Sequence, residues 1–313
     1  MSRTFVNQLR DGDAVEAVMQ VRRVAVQAYR NRDGAFLRLR LGDRTGEIEA
    51  RLWGFNWQKQ SVPAVGDLIS VVGQVTTYQE ALELHIQGFA AVPWEEADPA
   101  DYLPVTPRDR TALLVEIRAA AATVENPHLA ALLDSFFSDG TWVAAFTTAP
   151  AAKMNHHAYI GGLLEHTANL ARAVPVLVQN YPQADRDLLL TGVILHDVGK
   201  IEEYTWDRFI GVSDRGRLLG HIVLGLEAVS RRMEAIPGFP QTLRDRLLHI
   251  ITSHHGRYEW QSPKRPKFLE ACLVHHLDLL DGEANKFVPT AVSPEEGWEW
   301  VDRLDRWVYR GPS

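Results

Sequence analysis

The chain has 313 residues, of which 46% are hydrophobic and 23% charged, and this balance excludes a disordered or collagen-like chain. At roughly 150 residues per domain, the length suggests about two domains. The single cysteine, Cys272, excludes an intrachain disulfide and a zinc site built on cysteines. No apolar run approaches the roughly 20 residues of a membrane span, and the N-terminus lacks a signal-peptide core. We therefore expect a cytoplasmic protein with no membrane partner, and the net charge of −7 argues against a surface that is basic all over.

Residues 15–92 show the pattern of short β-strands. The clearest strand covers residues 35–41, where leucines at every second position alternate with Arg38 and Arg40. A glycine-containing turn at 42–46 separates it from a second alternating segment at 47–53. Further strand patterns lie at 16–29, 67–75 and 81–86. Five short strands of this kind predict a small closed β-barrel.

Four prolines among acidic residues mark the segment after the strands as a linker, and the pattern beyond it is helical. We place domain one at 1–95, the linker at 96–110 and a helical domain at 111–313. Helix-period apolar spacing is found at 112–124, 127–137, 162–181, 185–195, 219–235 and 240–254.

Histidine is the compositional anomaly, with 12 residues in the chain. Five of them and two aspartates, including the doublets His196-Asp197 and His254-His255, fall at five places tens of residues apart, mostly where helical segments begin or end. An all-α bundle can bring such residues to one point. Taken singly, each histidine also fits a hydrogen-bonded core or surface position. As a set, imidazoles and carboxylates without thiolates suit Mn²⁺, Fe²⁺, Ni²⁺ or Zn²⁺. The candidate metal ligands are His166, His196, Asp197, His221, His254, His255 and Asp278.

Three segments carry a resemblance to a known family. They are His-His-Ala-Tyr-Ile-Gly-Gly-Leu-Leu-Glu-His at 156–166, Ile-Leu-His-Asp-Val-Gly-Lys-Ile at 194–201 and Ser-His-His-Gly at 253–256. This order resembles the HD-domain metal-dependent phosphohydrolase superfamily. With a β-barrel in front, nearly the whole chain is similar to the YhaM-type 3′→5′ exoribonucleases. The resemblance implies an N-terminal OB-fold barrel, residues 1–95, followed by an all-α HD-domain helical bundle.

The resemblance also implies roles for the candidate residues. His166, His196, Asp197 and Asp278 would hold a first divalent metal, and Asp197 would bridge to a second one, held with the three remaining histidines. Two metals of this kind activate water for phosphodiester hydrolysis. Mn²⁺ is the expected metal, with Fe²⁺, Ni²⁺, Zn²⁺ and Mg²⁺ as alternatives. The expected catalytic residues are Asp197 and Lys200, the latter contacting a phosphoryl oxygen.

For several neighbouring polar residues the sequence leaves more than one role open. His156 and His157 either line the substrate site or are structural. Asp281, three residues after Asp278, either orients a ligand or faces solvent. For His275, packing or hydrogen bonding behind the metal ligands is the preferred interpretation.

The predicted barrel is locally basic. Residues 17–60 contain nine Lys and Arg against four Asp and Glu, interleaved with aromatic residues. Arginines that follow the backbone and flat rings that stack bases are typical of single-strand binding. The alternative is that the rings belong to the barrel core and the arginines to a solvated face. The candidate nucleic-acid contacts are Arg38, Arg40, Trp53 and Trp57.

We therefore expect a 3′→5′ exonuclease that hydrolyses single-stranded RNA to nucleoside 5′-monophosphates, with single-stranded DNA as an alternative substrate. The polarity and the product follow from the resemblance and from no residue pattern. Two other hypotheses stay open. One is an HD-type phosphodiesterase or phosphohydrolase acting on a small nucleotide or cyclic dinucleotide. The other is a non-enzymatic single-strand DNA-binding protein. Assembly into a homo-oligomer is likewise left open.

Overall fold

A computed structural model describes residues 4–29, 31, 33–56, 61–154, 157–287, 297–301 and 304–309. The chain forms two compact units. The first contains residues 1–105 together with 206–209, and the second contains 106–205 and 210–313. Over the described ranges, no helix combines the length and the apolar character that crossing a membrane requires.

The first unit is a closed five-stranded barrel, in which the strands neighbour one another in the order β1-β2-β3-β5-β4. All pairings are antiparallel except the parallel pairing of β3 with β5. This confirms the predicted barrel. The strands are β1 (Ala14–Ala28), β2 (Ala35–Asp43), β3 (Gly46–Phe55), β4 (Leu68–Tyr78) and β5 (Ala81–Val92).

The alternation in β2 decides which side chains fill the barrel. Leu37, Leu39 and Leu41 are fully buried in its core, whereas Arg38 and Arg40 between them are exposed. Successive side chains of a strand point to opposite faces, so the outer side chains of β2 and β3 share one surface. A short 3-10 turn at Trp94–Glu96 follows the barrel, and a second one at Pro99–Asp101 lies in the segment interpreted as a linker.

The second unit is a helical bundle, as the sequence predicts. Its α1, α2, α3 and α5 helices begin after an aspartate or asparagine whose side chain accepts backbone N–H groups of the first turn. The helices are α1 (Arg110–Ala121), α2 (Pro127–Phe137), α3 (Gly140–Thr148), α4 (Gly162–Asn180), α5 (Arg186–Leu195), α6 (Lys200–Glu203), α7 (Asp214–Glu234), α8 (Gln241–Ser253) and α9 (Leu269–Phe287).

Two short antiparallel hairpins accompany these helices. One pairs β6 (Tyr204–Thr205) with β7 (Gly211–Val212), and the other pairs β8 (Trp298–Val301) with β9 (Arg306–Tyr309). The second unit therefore carries a little strand in addition to the helices that the sequence predicts. The helical bundle remains its framework.

Candidate functional site

Helix ends position four of the candidate metal ligands. His196 caps the C-terminus of α5, and Asp197 follows it directly. His254 caps the C-terminus of α8 in the same way, and His255 follows it. At a helix C-terminus the chain turns away from the axis, so adjacent residues can both face one point. His166 and Asp278 project instead from within α4 and α9.

Two glycines bring His221 to the same place. At Gly199, a Cβ atom would lie only 1.9 Å from the carbonyl oxygen of His221, so only glycine allows the chain after Asp197 to approach α7 this closely. Gly220 has φ 70° and ψ 160°, which interrupts α7 immediately before His221. His221 therefore begins a new helical segment that faces Asp197.

The candidate ligands form two groups that share Asp197. Its Oδ2 lies 3.4 Å from His196 Nε2 and 3.6 Å from His166 Nε2. Its Oδ1 lies 3.4 Å from His254 Nε2 and 3.7 Å from His221 Nε2. Asp278 adds Oδ1 to the first group, 3.4 Å from His166 Nε2. We call these residues the His/Asp centre; it comprises His166, His196, Asp197, His221, His254, His255 and Asp278.

Each histidine of the centre has its Nδ1 bound to an acceptor, which turns its Nε2 inward. His166 Nδ1 donates to Asp281 and His221 Nδ1 donates to Glu203, each over 2.7 Å. The other three donate over 2.8 Å to backbone carbonyls, namely His196 to Val193, His254 to Ile251 and His255 to Trp260. Because carbonyl and carboxylate oxygens only accept, these contacts assign the single proton of each neutral ring to Nδ1 and the lone pair to Nε2.

The inward atoms consequently face one another as acceptors. His166 Nε2 and His196 Nε2 are 3.3 Å apart, and His221 Nε2 and His255 Nε2 are 3.2 Å apart. Among the described residues, the buried Nε2 of His254 and the Oδ1 of Asp197 have no hydrogen-bond partner. Facing lone pairs and a buried carboxylate are unfavourable unless a cation lies between them. The donor set therefore fits divalent metal ions.

The pKa values in the centre favour the metal-binding forms of the second group. Burial lowers the pKa of His255 to about 4, and the neighbouring His254 adds to this because two protonated rings would repel each other. Burial also lowers the pKa of His254. Although burial opposes it, the charge of Lys200 holds the pKa of Asp197 well below its usual range. Both imidazoles are thus neutral and the carboxylate is anionic at neutral pH, the forms that bind metals.

Lys200 lies against the centre at the start of α6. Its Nζ is 2.6 Å from Asp197 Oδ2, and the side chain is almost completely buried. Burial lowers its pKa, but the charges of Asp197 and Asp278 outweigh this and raise the pKa above its ordinary value. Lys200 is therefore a fixed positive charge, and it also lines the cavity beside the centre.

Asp281 orients His166, which is the first of the two roles that the sequence left open. Its Oδ2 accepts from His166 Nδ1 and from His157 Nε2, both over 2.7 Å, and its Oδ1 accepts from Asn169 over 2.8 Å. Although burial opposes it, hydrogen bonds to Asp278 and Asp281 raise the pKa of His166 to about 9, so without a metal this ring also carries a proton on Nε2, which a bound metal would displace. His157 is buried behind His166 in this network, and the predicted His156 lies outside the described residues.

Other histidines of the bundle lie outside the two ligand groups. His275 Nδ1 donates to the carbonyl oxygen of His254 over 2.7 Å, so it supports the α8 terminus. His249 Nε2 accepts from the backbone N–H of Lys267 over 3.1 Å. Sequence reasoning missed Glu203, the partner of His221. Its position directly after Lys200-Ile-Glu carries no signal that points to His221.

On the barrel, the predicted arginines are exposed but paired. Arg38 Nε and Arg40 Nε each donate to Glu49 over 3.0 Å. Glu49 lies directly opposite Arg40 on β3, so it reaches both arginines of β2. Trp57, the fourth predicted contact, lies outside the described residues.

Trp53 belongs to an aromatic cluster on the same outer surface. Its ring is 44% exposed and lies 4.8 Å from Phe36 and 6.1 Å from Tyr29 between centroids, stacked in the second case. Sequence reasoning missed Arg51, whose guanidinium lies 5.6 Å from the Trp53 ring and 5.4 Å from that of Tyr78. We call this surface the outer face; it comprises Tyr29, Phe36, Arg38, Arg40, Glu49, Arg51, Trp53 and Tyr78.

Together the barrel and the His/Asp centre define a protein of the HD-domain phosphohydrolase class with an N-terminal OB-fold. Family models agree with both parts. The HD domain matches residues 162–283, and the OB-fold nucleic acid binding domain matches residues 6–91.

The chain is also similar over most of its length to proteins named 3′-5′ exoribonuclease YhaM. It is 31% identical to that of Shouchella clausii (strain KSM-K16), over 97% of this chain and 95% of the relative. It is 30% identical to that of Geobacillus sp. (strain WCH70), over 94% and 89%. It is 33% identical to that of Bacillus subtilis (strain 168), over 86% and 85%. The chain belongs to the YhaM family of 3′-5′ exoribonucleases and is an enzyme.

Proposed function

We propose that this protein removes nucleotides from the 3′ end of single-stranded RNA, releasing nucleoside 5′-monophosphates, with two divalent metal ions at the His/Asp centre. The observation that carries the proposal is the position of Asp197. Its two oxygens face two different groups of histidine Nε2 atoms, each at 3.4–3.7 Å. A carboxylate shared in this way suits a pair of metals rather than one.

His166, His196, Asp197 and Asp278 would hold one metal, and His221, His254 and His255 would hold the other with Asp197. When bound, such a pair supplies an activated water and neutralises the charge that develops on the phosphate. Mn²⁺ is the metal we propose, since imidazole and carboxylate ligands suit it; Fe²⁺, Ni²⁺, Zn²⁺ and Mg²⁺ are the alternatives to test.

The surrounding residues orient the ligands and bind the substrate charge. Asp281 and Glu203 fix the rings of His166 and His221 by accepting from their Nδ1 atoms. Ligand orientation by carboxylates of this kind strengthens metal binding. Lys200 offers a buried ammonium to a phosphoryl oxygen, which favours the transition state of phosphodiester cleavage.

We assign strand binding to the N-terminal domain, residues 1–95, and hydrolysis to residues 111–313. The exposed rings and arginines of the outer face support this division, because stacking and charge bind single strands with little sequence preference. Single-stranded DNA is a second substrate within the same proposal. A cytoplasmic location is also part of it, in keeping with the single cysteine.

A labelled-RNA assay tests the function. The full chain is incubated with a 5′-labelled single-stranded RNA, with Mn²⁺ or with chelator. We expect a descending ladder of labelled products only with metal. Asp197→Asn should slow it by at least about 10³-fold, because both ligand groups lose the shared charge.

The matched control is Asp245→Asn on α8, an exposed aspartate that accepts from Gln241 on the same helix. It should cleave RNA at the wild-type rate. Immediate release of the 5′ label as a mononucleotide would contradict the proposed polarity. RNA that stays intact with every metal tried would overturn the proposal.

A further inference from the structure

A cavity of about 290 Å³ adjoins the His/Asp centre and extends beyond it. Its lining includes Lys200, His254 and Asp278 from the centre and its surroundings. It also includes Trp260 and Leu279, which contribute no metal-binding atoms. At one end of the cavity, the His/Asp centre and Lys200 could bind a phosphate. The rest of the cavity is a small, largely apolar compartment.

One wall of this compartment is the continuation of α9 past Asp278. Leu279 and Gly282 line the cavity, and Gly282 lies one helical turn after Asp278 on the same face. Gly282 presents no side chain there. The wall next to the metal-binding carboxylate is therefore open at Gly282 and apolar at Leu279, which suits a flat organic group attached to a phosphate; Glu283 is a further acidic residue of the same lining.

Trp260 lies at the end of the 3-10 turn Tyr258–Trp260. Trp260 lines the cavity and is 41% exposed, so the protein covers only part of its surface. Its backbone carbonyl accepts the hydrogen bond from His255 Nδ1 over 2.8 Å. The position of the indole is thereby tied to that of a metal ligand.

The turn is held in place by close packing at Gly256. This residue has φ 73°, and a Cβ atom there would come within 2.2 Å of the His275 ring. His275 in turn lies 6.3 Å from Trp260 between ring centroids and lines the same cavity. Arg257 places its guanidinium 4.6 Å from the indole centroid. Trp260 is therefore a supported ring at the cavity rather than a loose surface side chain.

We propose that this compartment is a nucleoside subsite, in which Trp260 stacks on the base of the terminal nucleotide while its phosphate lies at the His/Asp centre. The inference rests on the proposed function, since it assumes that the centre binds the phosphate of a nucleotide. Stacking on an aromatic ring accepts every base, because each base has a π-face. The subsite thus selects nucleotides over other phosphates without selecting a sequence.

Product binding tests the subsite apart from catalysis. Calorimetry on the full chain with Mn²⁺ compares adenosine 5′-monophosphate and uridine 5′-monophosphate with ribose 5-phosphate, which lacks a base. We expect both nucleotides to bind about 5- to 150-fold more tightly than ribose 5-phosphate, the range of a base–aromatic stack. Trp260→Ala should abolish this preference, and Trp260→Phe should restore most of it.

Tyr258→Ala is the matched control. Tyr258 is an exposed aromatic residue of the same turn that does not line the cavity, so its removal should leave the preference at the wild-type value. Equal affinity of the wild type for all three ligands would overturn the subsite, as would an unchanged preference in Trp260→Ala. No measurable nucleotide binding would overturn it as well.

The two proposals fail in different ways. If the wild type degrades RNA but binds ribose 5-phosphate as tightly as the nucleotides, the subsite is wrong and the exonuclease proposal stands. If the nucleotides bind with the expected preference while RNA stays intact, the subsite stands and the exonuclease proposal is wrong.

Discussion

The His/Asp centre and the outer face of the barrel place polar and aromatic groups in opposite surroundings. His166, His196 and His254 are completely buried, and each ring has its Nδ1 hydrogen-bonded. On the outer face, Trp53 and Tyr78 are 44% and 52% exposed, and the arginine–glutamate pairs remain in water. The centre thus holds its ligand atoms in fixed positions, whereas the exposed rings and arginines of the outer face can exchange one contact for another.

This difference sets how much each residue contributes. An exposed ion pair contributes about 0–1 kcal/mol, so Arg38 can exchange Glu49 for a phosphate at little cost. A charge left unpaired in a buried site is strongly destabilising, so each group of the centre depends on its neighbours. We therefore expect single substitutions to have large effects at the centre and small, additive effects on the outer face.

The largest of these effects after loss of Asp197 is expected at Asp281. Asp281→Asn keeps the shape of the side chain but removes the charge that accepts from His166 Nδ1. We expect Mn²⁺ affinity to fall by about 10- to 100-fold, the usual effect of losing a carboxylate behind a metal-binding histidine. Competition with a metal-sensing chelator measures the affinity.

If Asp281 acts by positioning His166, the activity of Asp281→Asn should depend on the Mn²⁺ concentration. At saturating Mn²⁺ the cleavage rate of Asp281→Asn should recover most of its wild-type value, because the ligands themselves are intact. The Asp245→Asn control should bind Mn²⁺ as the wild type does. Unchanged Mn²⁺ affinity in Asp281→Asn would show that the contact between Asp281 and His166 is structural only.

A smaller effect is expected for Trp53→Ala on the outer face. Loss of a base-stacking ring should weaken binding of single-stranded RNA by roughly tenfold, within the usual 1–3 kcal/mol. Fluorescence anisotropy with chelator present measures binding without cleavage. Tyr181→Ala is the control, since Tyr181 in the second unit is equally exposed, at 45%. Equal losses of RNA affinity in the two variants would show that the outer face is not part of the binding surface.

The smallest effect is expected for the double substitution of Arg38 and Arg40 by alanine. Two lost phosphate contacts should reduce the slope of log affinity against log salt concentration by about 1.4, at 0.7 per contact. The loss of affinity should be only a few-fold, because both arginines already pair with Glu49.

Glu49→Gln is a second test of the phosphate contacts of Arg38 and Arg40. It removes the carboxylate that competes with phosphate for both arginines, so RNA should bind more tightly than to the wild type. Anisotropy titrations at several salt concentrations measure both variants. A slope unchanged by the arginine substitutions would mean that the strand lies on another part of the barrel.

The sequence predicted different amounts of detail for the His/Asp centre and for the outer face of the barrel. The His196-Asp197 and His254-His255 doublets end apolar helical runs, and the structure brings them together with His166, His221 and Asp278. Asp281 was a candidate for orienting a ligand, but the sequence did not show which one, because it is 115 residues from His166 and its contact depends on how α4 and α9 pack. A hydrogen bond between helices leaves no periodic signal in either one.

On the barrel, alternation correctly placed Arg38 and Arg40 outside but did not reveal their shared partner. Glu49 becomes that partner only through the register of β2 with β3, in which it lies opposite Arg40. Arg51 was overlooked as a binding residue for a similar reason. Its neighbour Tyr78 belongs to β4, more than 20 positions away in the sequence.

In the helical unit, the sequence did not predict α3, because Gly140–Thr148 is almost uniformly small or apolar, with little helical period.

If Asp197 is shared between two metal-binding groups, each chain binds two metal ions. Counting the bound ions is therefore a direct test of the shared carboxylate. Equilibrium dialysis against Mn²⁺, followed by elemental analysis, gives the number of ions per chain. We expect two ions for the wild type and one for His255→Ala, which removes a ligand of the second group only. A single ion in the wild type, or two in His255→Ala, would contradict it.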